Sequence, residues 1–222
     1  MEFNIVQKIA IYALPVIFAI TLHEAAHGYV ARHFGDSTAH RLGRISLNPL
    51  RHIDLVGTIV LPLVILLTSS FFGGSGILFG WAKPVPVNFG ALRNPKRDMF
   101  WVAAAGPAAN LVMAIGWALM VKIALSAPQN IFTLPVSLMG DAGIAVNVVL
   151  MVLNLLPILP LDGGRIAVSL LPERLALPFA RLEPLGFPIL LVLLFTNLLG
   201  VILNPVVQAS IIVIETVFQL GL

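Results

Sequence analysis

The 222 residues are 59% hydrophobic and only 10% charged, and the chain has no cysteine. This composition, with a mean hydropathy of +0.99, excludes an ordinary soluble domain, while the absence of thiols excludes disulfides and thiolate ligands and leaves His, Asp and Glu for any metal. Thirteen Lys and Arg against ten acids give a formal charge of +3, but the cations are spread between apolar runs, which fits loops facing an anionic lipid bilayer and no nucleic acid. Several runs approach the roughly 20 residues of a bilayer crossing, and backbone polar groups in hydrocarbon must be satisfied internally. The expected fold is therefore an all-α polytopic integral membrane protein, a single membrane-embedded domain over 1–222 with about five to six transmembrane segments.

The first helix is expected from about Ile5 to Phe34, ending at the turn-like Gly35-Asp36-Ser37. Lys8 ahead of an apolar stretch has the look of a secretory signal, but no soluble domain follows, so the segment is read as retained. Within it stands His23-Glu24-Ala25-Ala26-His27. Residues four apart differ by about 40° around a helix, so the two imidazoles share a face and can hold one ion. Glu24 lies on the neighbouring flank, where it can reach a water on that ion but is badly aimed as a third ligand. This is the zinc-hydrolase pattern, with the glutamate as general base. Ionisable groups inside hydrocarbon are costly and mark functional sites.

A connector, Ala39 to Asp54, follows, in which Gly43 to Asn48 alternates like a short strand before Pro49 stops it. His33, His40 and His52 lack partners at helical spacing and are expected to be interfacial or solvated. Leu55 to Trp81 is apolar but interrupted by Pro62 and Gly73-Gly74-Ser75-Gly76, and it reads as a re-entrant hairpin. Ala82 to Asn88 carries Pro84 and Pro86, which forbid a central strand and suit an extended edge. The next helix is placed from about Met99 to Leu125. It carries the small-residue stripe Ala103 to Ala109, a kink at Pro107, and Asn110 as an available amide.

A further helix is expected from about Gly140 to Leu156, with Asn147 and Asn154 on one face. Pro157, Pro160, Gly163 and Gly164 cannot continue it, so an unwound segment presents Asp162, the expected third ligand. The last apolar stretch, Phe187 to Leu220, holds two short crossings broken near Asn204-Pro205. Arginines and lysines crowd the three connectors near residues 32–51, 83–97 and 165–181, which places those connectors in the cytoplasm.

His23-Glu24-Ala25-Ala26-His27, Gly106-Pro107-Ala108-Ala109-Asn110, and Asn154-Leu155-Leu156-Pro157 leading to Leu161-Asp162-Gly163-Gly164 together resemble the site-2 protease family of intramembrane zinc metalloproteases, in order and in separation. The resemblance implies one zinc ion per chain held by His23, His27 and Asp162, with Glu24 as base. It also places Asn154 near a substrate that spans the membrane. Asn110, Val85 and Val87 are further candidate substrate contacts, the last two from an extended piece that looks like the family's short β elements near the active site. The chain is expected to be a compact form without the PDZ or CBS domain that many members carry. Three protein ligands leave a fourth position for water, whose pKa falls toward about 7. Two other classes compete: a membrane metal transporter, which needs acidic or His-rich features along a path, and a helical membrane metalloprotease using Glu173, Glu183 or Glu215 in place of Asp162.

Overall fold

The computed structural model describes residues 4–60, 82–128 and 130–220. A capping box opens the first helix: the Gln7 N–H donates to the Asn4 side chain at 2.9 Å, and the Asn4 N–H donates to the Gln7 side chain. Helix α1 (Ile5–His33) then runs 29 residues. It ends where Gly35 takes φ 109° and a Schellman pair forms, Gly35 N–H to Arg32 O and Asp36 N–H to Ala31 O. The stop falls at the Gly35-Asp36-Ser37 cluster that the sequence marks.

After the short α2 (Thr38–Arg41) come single turns at Pro49–Arg51, Leu55–Val60 and Phe89–Ala91. Helices α3 (Pro95–Ser126), α4 (Thr133–Asn154), α5 (Asp162–Leu170), α6 (Glu173–Ala180), α7 (Glu183–Phe195) and α8 (Leu198–Phe218) complete the chain. Four of these, α1, α3, α4 and α8, are long and apolar enough to cross a membrane, and α6 with α7, bent by 64°, makes a fifth if taken as one span. The all-α multi-pass architecture expected from composition is the one adopted.

Boundaries differ from expectation for local reasons. Pro95 occupies the first turn of α3, where its missing N–H costs nothing, so the helix begins before Met99. The last apolar stretch breaks at Asn197, not at Asn204-Pro205. There the Thr196 hydroxyl donates to Val192 O at 2.6 Å and Asn197 turns left-handed at φ 59°, whereas Pro205 is absorbed inside α8.

Among the described residues no strand forms, so the short β elements are corrected. Residues 82–88 are extended but make no ladder, because most of their donors are missing or taken. Pro84 and Pro86 have no N–H, and the N–H groups of Lys83, Val85 and Asn88 donate to His52 O, Glu24 Oε2 and Asp36 Oδ2. Burial works to raise the Asp36 carboxyl's pKa, but the bonds from Thr38 and Asn88 prevail and lower it. His52 is buried rather than solvated, its Nε2 held 2.8 Å from Ser46 O.

Helix α4 packs most extensively on α3, and α1 lies across both. Ala114 and Ala118, fully buried and one turn apart, let α3 approach α4 closely, and Leu199, Leu203 and Val207 of α8 close the core. The outer faces carry exposed Ile9, Val112, Val201 and Val213, while His23, Asn110 and Asn147 are buried. Apolar outside and polar inside is the distribution that a lipid solvent selects.

One end of the bundle gathers the site. The Arg93 N–H donates to Phe34 O at 3.0 Å, so the start of α3 meets the end of α1; Lys96 Nζ donates to Leu171 O at 2.5 Å, tying α3 to the end of α5. The expected re-entrant hairpin falls mainly on residues 61–81, which lie outside the described residues. The Lys83 N–H donates to His52 O at 2.8 Å, which joins the described residues on either side of it. Helices α3 and α4 then run away and back, bringing Asp162 to the level of His27.

Candidate metal centre

His23 and His27, one turn apart on α1, point between α3 and α5 with their Nε2 atoms 3.1 Å apart. Asp162 Oδ2 stands 3.2 Å from the first and 3.3 Å from the second. All three side chains are buried. The His27 Nδ1 lies 2.7 Å from the carbonyl of Val102, which can only accept, so Nδ1 carries the proton and Nε2 a lone pair. The His23 Nδ1 lies 2.5 Å from Asn110 Oδ1 and is fixed in the same sense. Asp162 adds a carboxylate, the ordinary state of an aspartate at neutral pH. Its Oδ2 is buried without a hydrogen bond among the described residues.

Three electron-pair donors therefore converge with no proton between them, an arrangement that repels itself unless a cation sits among them. Tetrahedral zinc with ligands at about 2.0–2.1 Å has ligand-to-ligand edges of about 3.3 Å, close to the triangle seen. The donor set, two imidazoles and a carboxylate, suits zinc as well. His23, His27 and Asp162 are the only group of three or more potential ligands among the described residues. Glu183 is instead 4.0 Å from Arg165, so the acid that meets the imidazoles is Asp162 rather than a downstream glutamate.

Backbone packing makes the triangle. A Cβ on Gly106 would lie 2.5 Å from His23 Cε1 and 2.5 Å from His27 Nε2, so only glycine lets α3 pass this close to the ligand edge of the two rings. In the sequence Gly106 stands both in the small-residue stripe and in the Gly106-Pro107-Ala108-Ala109-Asn110 motif, but neither shows that it faces the two histidines. Asp162 is not on an unwound segment but opens α5, where a carboxylate suits the helix dipole. A Cβ on Gly164 would lie 2.6 Å from Leu159 N, so the glycines let α5 turn tightly against the preceding chain.

The triangle opens on a cavity of about 920 Å³, lined by apolar residues such as Ile20, Leu150 and Leu190 and by Glu24, Arg165 and Asn154. Val85 and Val87 form part of its wall. Glu24 Oε2 accepts the Val85 N–H at 2.7 Å, which leaves Oε1 uncommitted among the described residues. Asn154 donates to Leu150 O at 2.9 Å and keeps its amide oxygen without a partner among the described residues. Asn110 does not reach the cavity. It is fully buried behind His23, its hydrogen bonds spent on His23, Ala19 and Asn147, which corrects its expected place at the substrate.

The same residues can be compared with known proteins. The chain is 37% identical over 200 residues to "Putative zinc metalloprotease YwhC" of Bacillus subtilis, covering 89% of this chain and 85% of that one. It is 32% identical over 185 residues to "Putative zinc metalloprotease Rip2" of Mycolicibacterium smegmatis, covering 83% of this chain and 66% of the relative. The chain belongs to this zinc metalloprotease family. Rip2 of Mycobacterium tuberculosis matches at 30% over 151 residues, 66% of this chain and 52% of its own. No protein-family model matches the chain, and no solved structure does. Membership agrees with the convergence of His23, His27 and Asp162 in one group of potential metal ligands.

Proposed function

We propose that the chain is an intramembrane zinc metallo-endopeptidase of the site-2 protease kind, cleaving membrane proteins that carry a transmembrane segment. The observation that carries this reading is the buried triangle of His23 Nε2, His27 Nε2 and Asp162 Oδ2, with edges of 3.1–3.3 Å, facing a largely apolar cavity between helices able to span a bilayer. His23, His27 and Asp162 would hold one zinc ion, which when bound supplies Lewis acidity for water activation and carbonyl polarisation. Glu24 Oε1 takes the proton from the attacking water and delivers it to the leaving amine, while Oε2 stays bonded to the Val85 N–H.

Substrate lies along residues 82–88. Among the described residues, Val87 keeps the one unpartnered N–H of the stretch 83–88 and can donate to a substrate carbonyl. Val85 and Val87 contact its side chains, and the Asn154 amide oxygen accepts from its backbone. A metal transporter is the weaker reading, because it needs further ligands along a path and none group among the described residues. The test is cleavage of a tagged single-span protein by purified enzyme in detergent. A chelator is expected to abolish cleavage and added zinc to restore it; cleavage that persists in metal-free protein contradicts the proposal.

The concentration of Arg and Lys near residues 32–51, 83–97 and 165–181 supports a cytoplasmic placement of the site end in the cell membrane. Because the chain has no cysteine, single cysteines at Ser46, Asn88 and Ser169 can be labelled cleanly. All three are expected to react with an impermeant thiol reagent only after the membrane is opened; reaction of Asn88→Cys in intact cells overturns this orientation.

A further inference from the structure

Asn147 lies on α4, is fully buried, and touches neither the cavity nor the metal triangle. A buried amide in an apolar bundle calls for an account of each of its hydrogen bonds. Its Nδ2 donates to Gly143 O at 2.8 Å, and its Oδ1 accepts from Asn110 Nδ2 at 3.0 Å. The Asn110 Nδ2 gives a second hydrogen to Ala19 O at 3.3 Å, and Asn110 Oδ1 faces His23 Nδ1 at 2.5 Å.

The direction of this chain is forced from its ends. Gly143 O and Ala19 O are backbone carbonyls and can only accept, so both asparagine NH2 groups must point at them. Asn147 then presents only its oxygen to Asn110, and Asn110 only its oxygen to His23. Turning either amide over would set carbonyl against carbonyl. With an acceptor fixed at Asn110 Oδ1, the His23 proton is drawn to Nδ1 and the lone pair at Nε2 faces His27 and Asp162.

We infer that Asn110 and Asn147 form a relay across α1, α3 and α4 that sets the tautomer and orientation of His23 for metal binding. Both act through His23 and are positioning residues. The inference rests on the zinc reading above. The two ligands are secured differently: His27 is held by a main-chain carbonyl that no substitution removes, and His23 by side chains that substitution can. The relay also couples the packing of α4 to the metal centre, since Asn147 is a full helix away from any ligand.

The test uses zinc affinity of the purified full chain, measured by competition with a chelator, and does not require a substrate. Loss of a hydrogen-bond partner behind a metal-ligating histidine typically costs about 10–100-fold in affinity, and that loss is expected for Asn110→Leu. Asn110→Asp keeps an acceptor for the Nδ1 hydrogen but sets its second oxygen against the acceptors Ala19 O and Asn147 Oδ1, so it should recover only part of the affinity that Asn110→Leu loses. Asn147→Leu, one step further from the ring, should lose about three- to tenfold.

Nitrogen-15 spectra of the histidine-labelled, zinc-loaded protein add a readout that packing alone does not move. The directly bonded Nδ1–H signal of His23 should survive in Asn110→Asp and disappear or shift in Asn110→Leu. The thermal transition of metal-free protein checks that each variant folds. Equal zinc affinity in wild type, Asn110→Leu and Asn147→Leu overturns the relay while leaving the protease reading standing. A His23 Nδ1–H signal unchanged in Asn110→Leu also overturns it, since any loss of affinity then marks a packing role. Wild-type protein that binds no zinc overturns the reading on which it rests.

Discussion

Glu24→Gln is expected to retain its zinc and lose nearly all turnover. The substitution is conservative in the place where the structure constrains it. Glu24 Oε2 accepts the Val85 N–H at 2.7 Å, and a glutamine carbonyl oxygen can accept the same bond, so the stretch 82–88 stays where it is. What changes is the other oxygen, which becomes an NH2 group and cannot take a proton from water. A positioned general base contributes typically about 10²–10⁴-fold, so cleavage of a single-span substrate should fall by at least about 100-fold. Metal content per chain should match wild type. A Glu24→Gln enzyme cleaving within about tenfold of wild type would remove Glu24 from the proposed chemistry.

Gly106→Ala should disrupt the centre at the ligand edge of the two rings, without replacing any ligand. The added Cβ would stand 2.5 Å from both His23 Cε1 and His27 Nε2. Neither ring can yield freely, because Asn110 holds one at 2.5 Å and Val102 O holds the other at 2.7 Å. Overpacking of this kind costs typically about 1–3 kcal/mol, to be met by pushing α3 away or by rotating the rings off their common point. Zinc affinity should fall by at least about tenfold, and activity with it. Gly116→Ala is the control: it lies on the same helix with nothing near its Cβ position among the described residues, and should leave both properties unchanged. Unaltered zinc binding in Gly106→Ala would show that the rings have room that the geometry denies.

Much of this centre could be read from the sequence, and the reason is periodicity. His23 and His27 share a face of any helix long enough to hold them, whatever packs against it. The fold class followed from composition and the first helix end from Gly35, both local or global properties that need no tertiary contact. Asp162 was placed by its prolines and glycines and by resemblance, but its position opening α5 was not legible, because helix formation there depends on Gly163 and Gly164 packing on residues 155–159. Residues 82–88 read correctly as extended and wrongly as a β element. Alternating prolines fix the backbone shape, but whether the remaining donors meet a strand or two carboxylates is decided by Glu24 and Asp36, far away in sequence. Asn110 was assigned to substrate because an exposed and a buried amide look alike in sequence, and only the partner in α4 distinguishes them. The break at Asn197 was missed because a proline signal at Pro205 competed with a weaker one and lost to packing of α8.

The central claim is that three side chains distant in sequence hold one zinc ion. Its most direct measurement is metal content and cleavage in Asp162→Ala, compared with alanine variants of Glu173, Glu183 and Glu215, all purified in the same detergent. Asp162 is 135 residues beyond His27 by number, yet its Oδ2 is 3.3 Å from the His27 Nε2. Asp162→Ala is expected to lose both zinc and cleavage while the three glutamate variants keep about one zinc per chain and wild-type rates. Full metal and activity in Asp162→Ala, with both lost in one of the glutamate variants, would contradict the account.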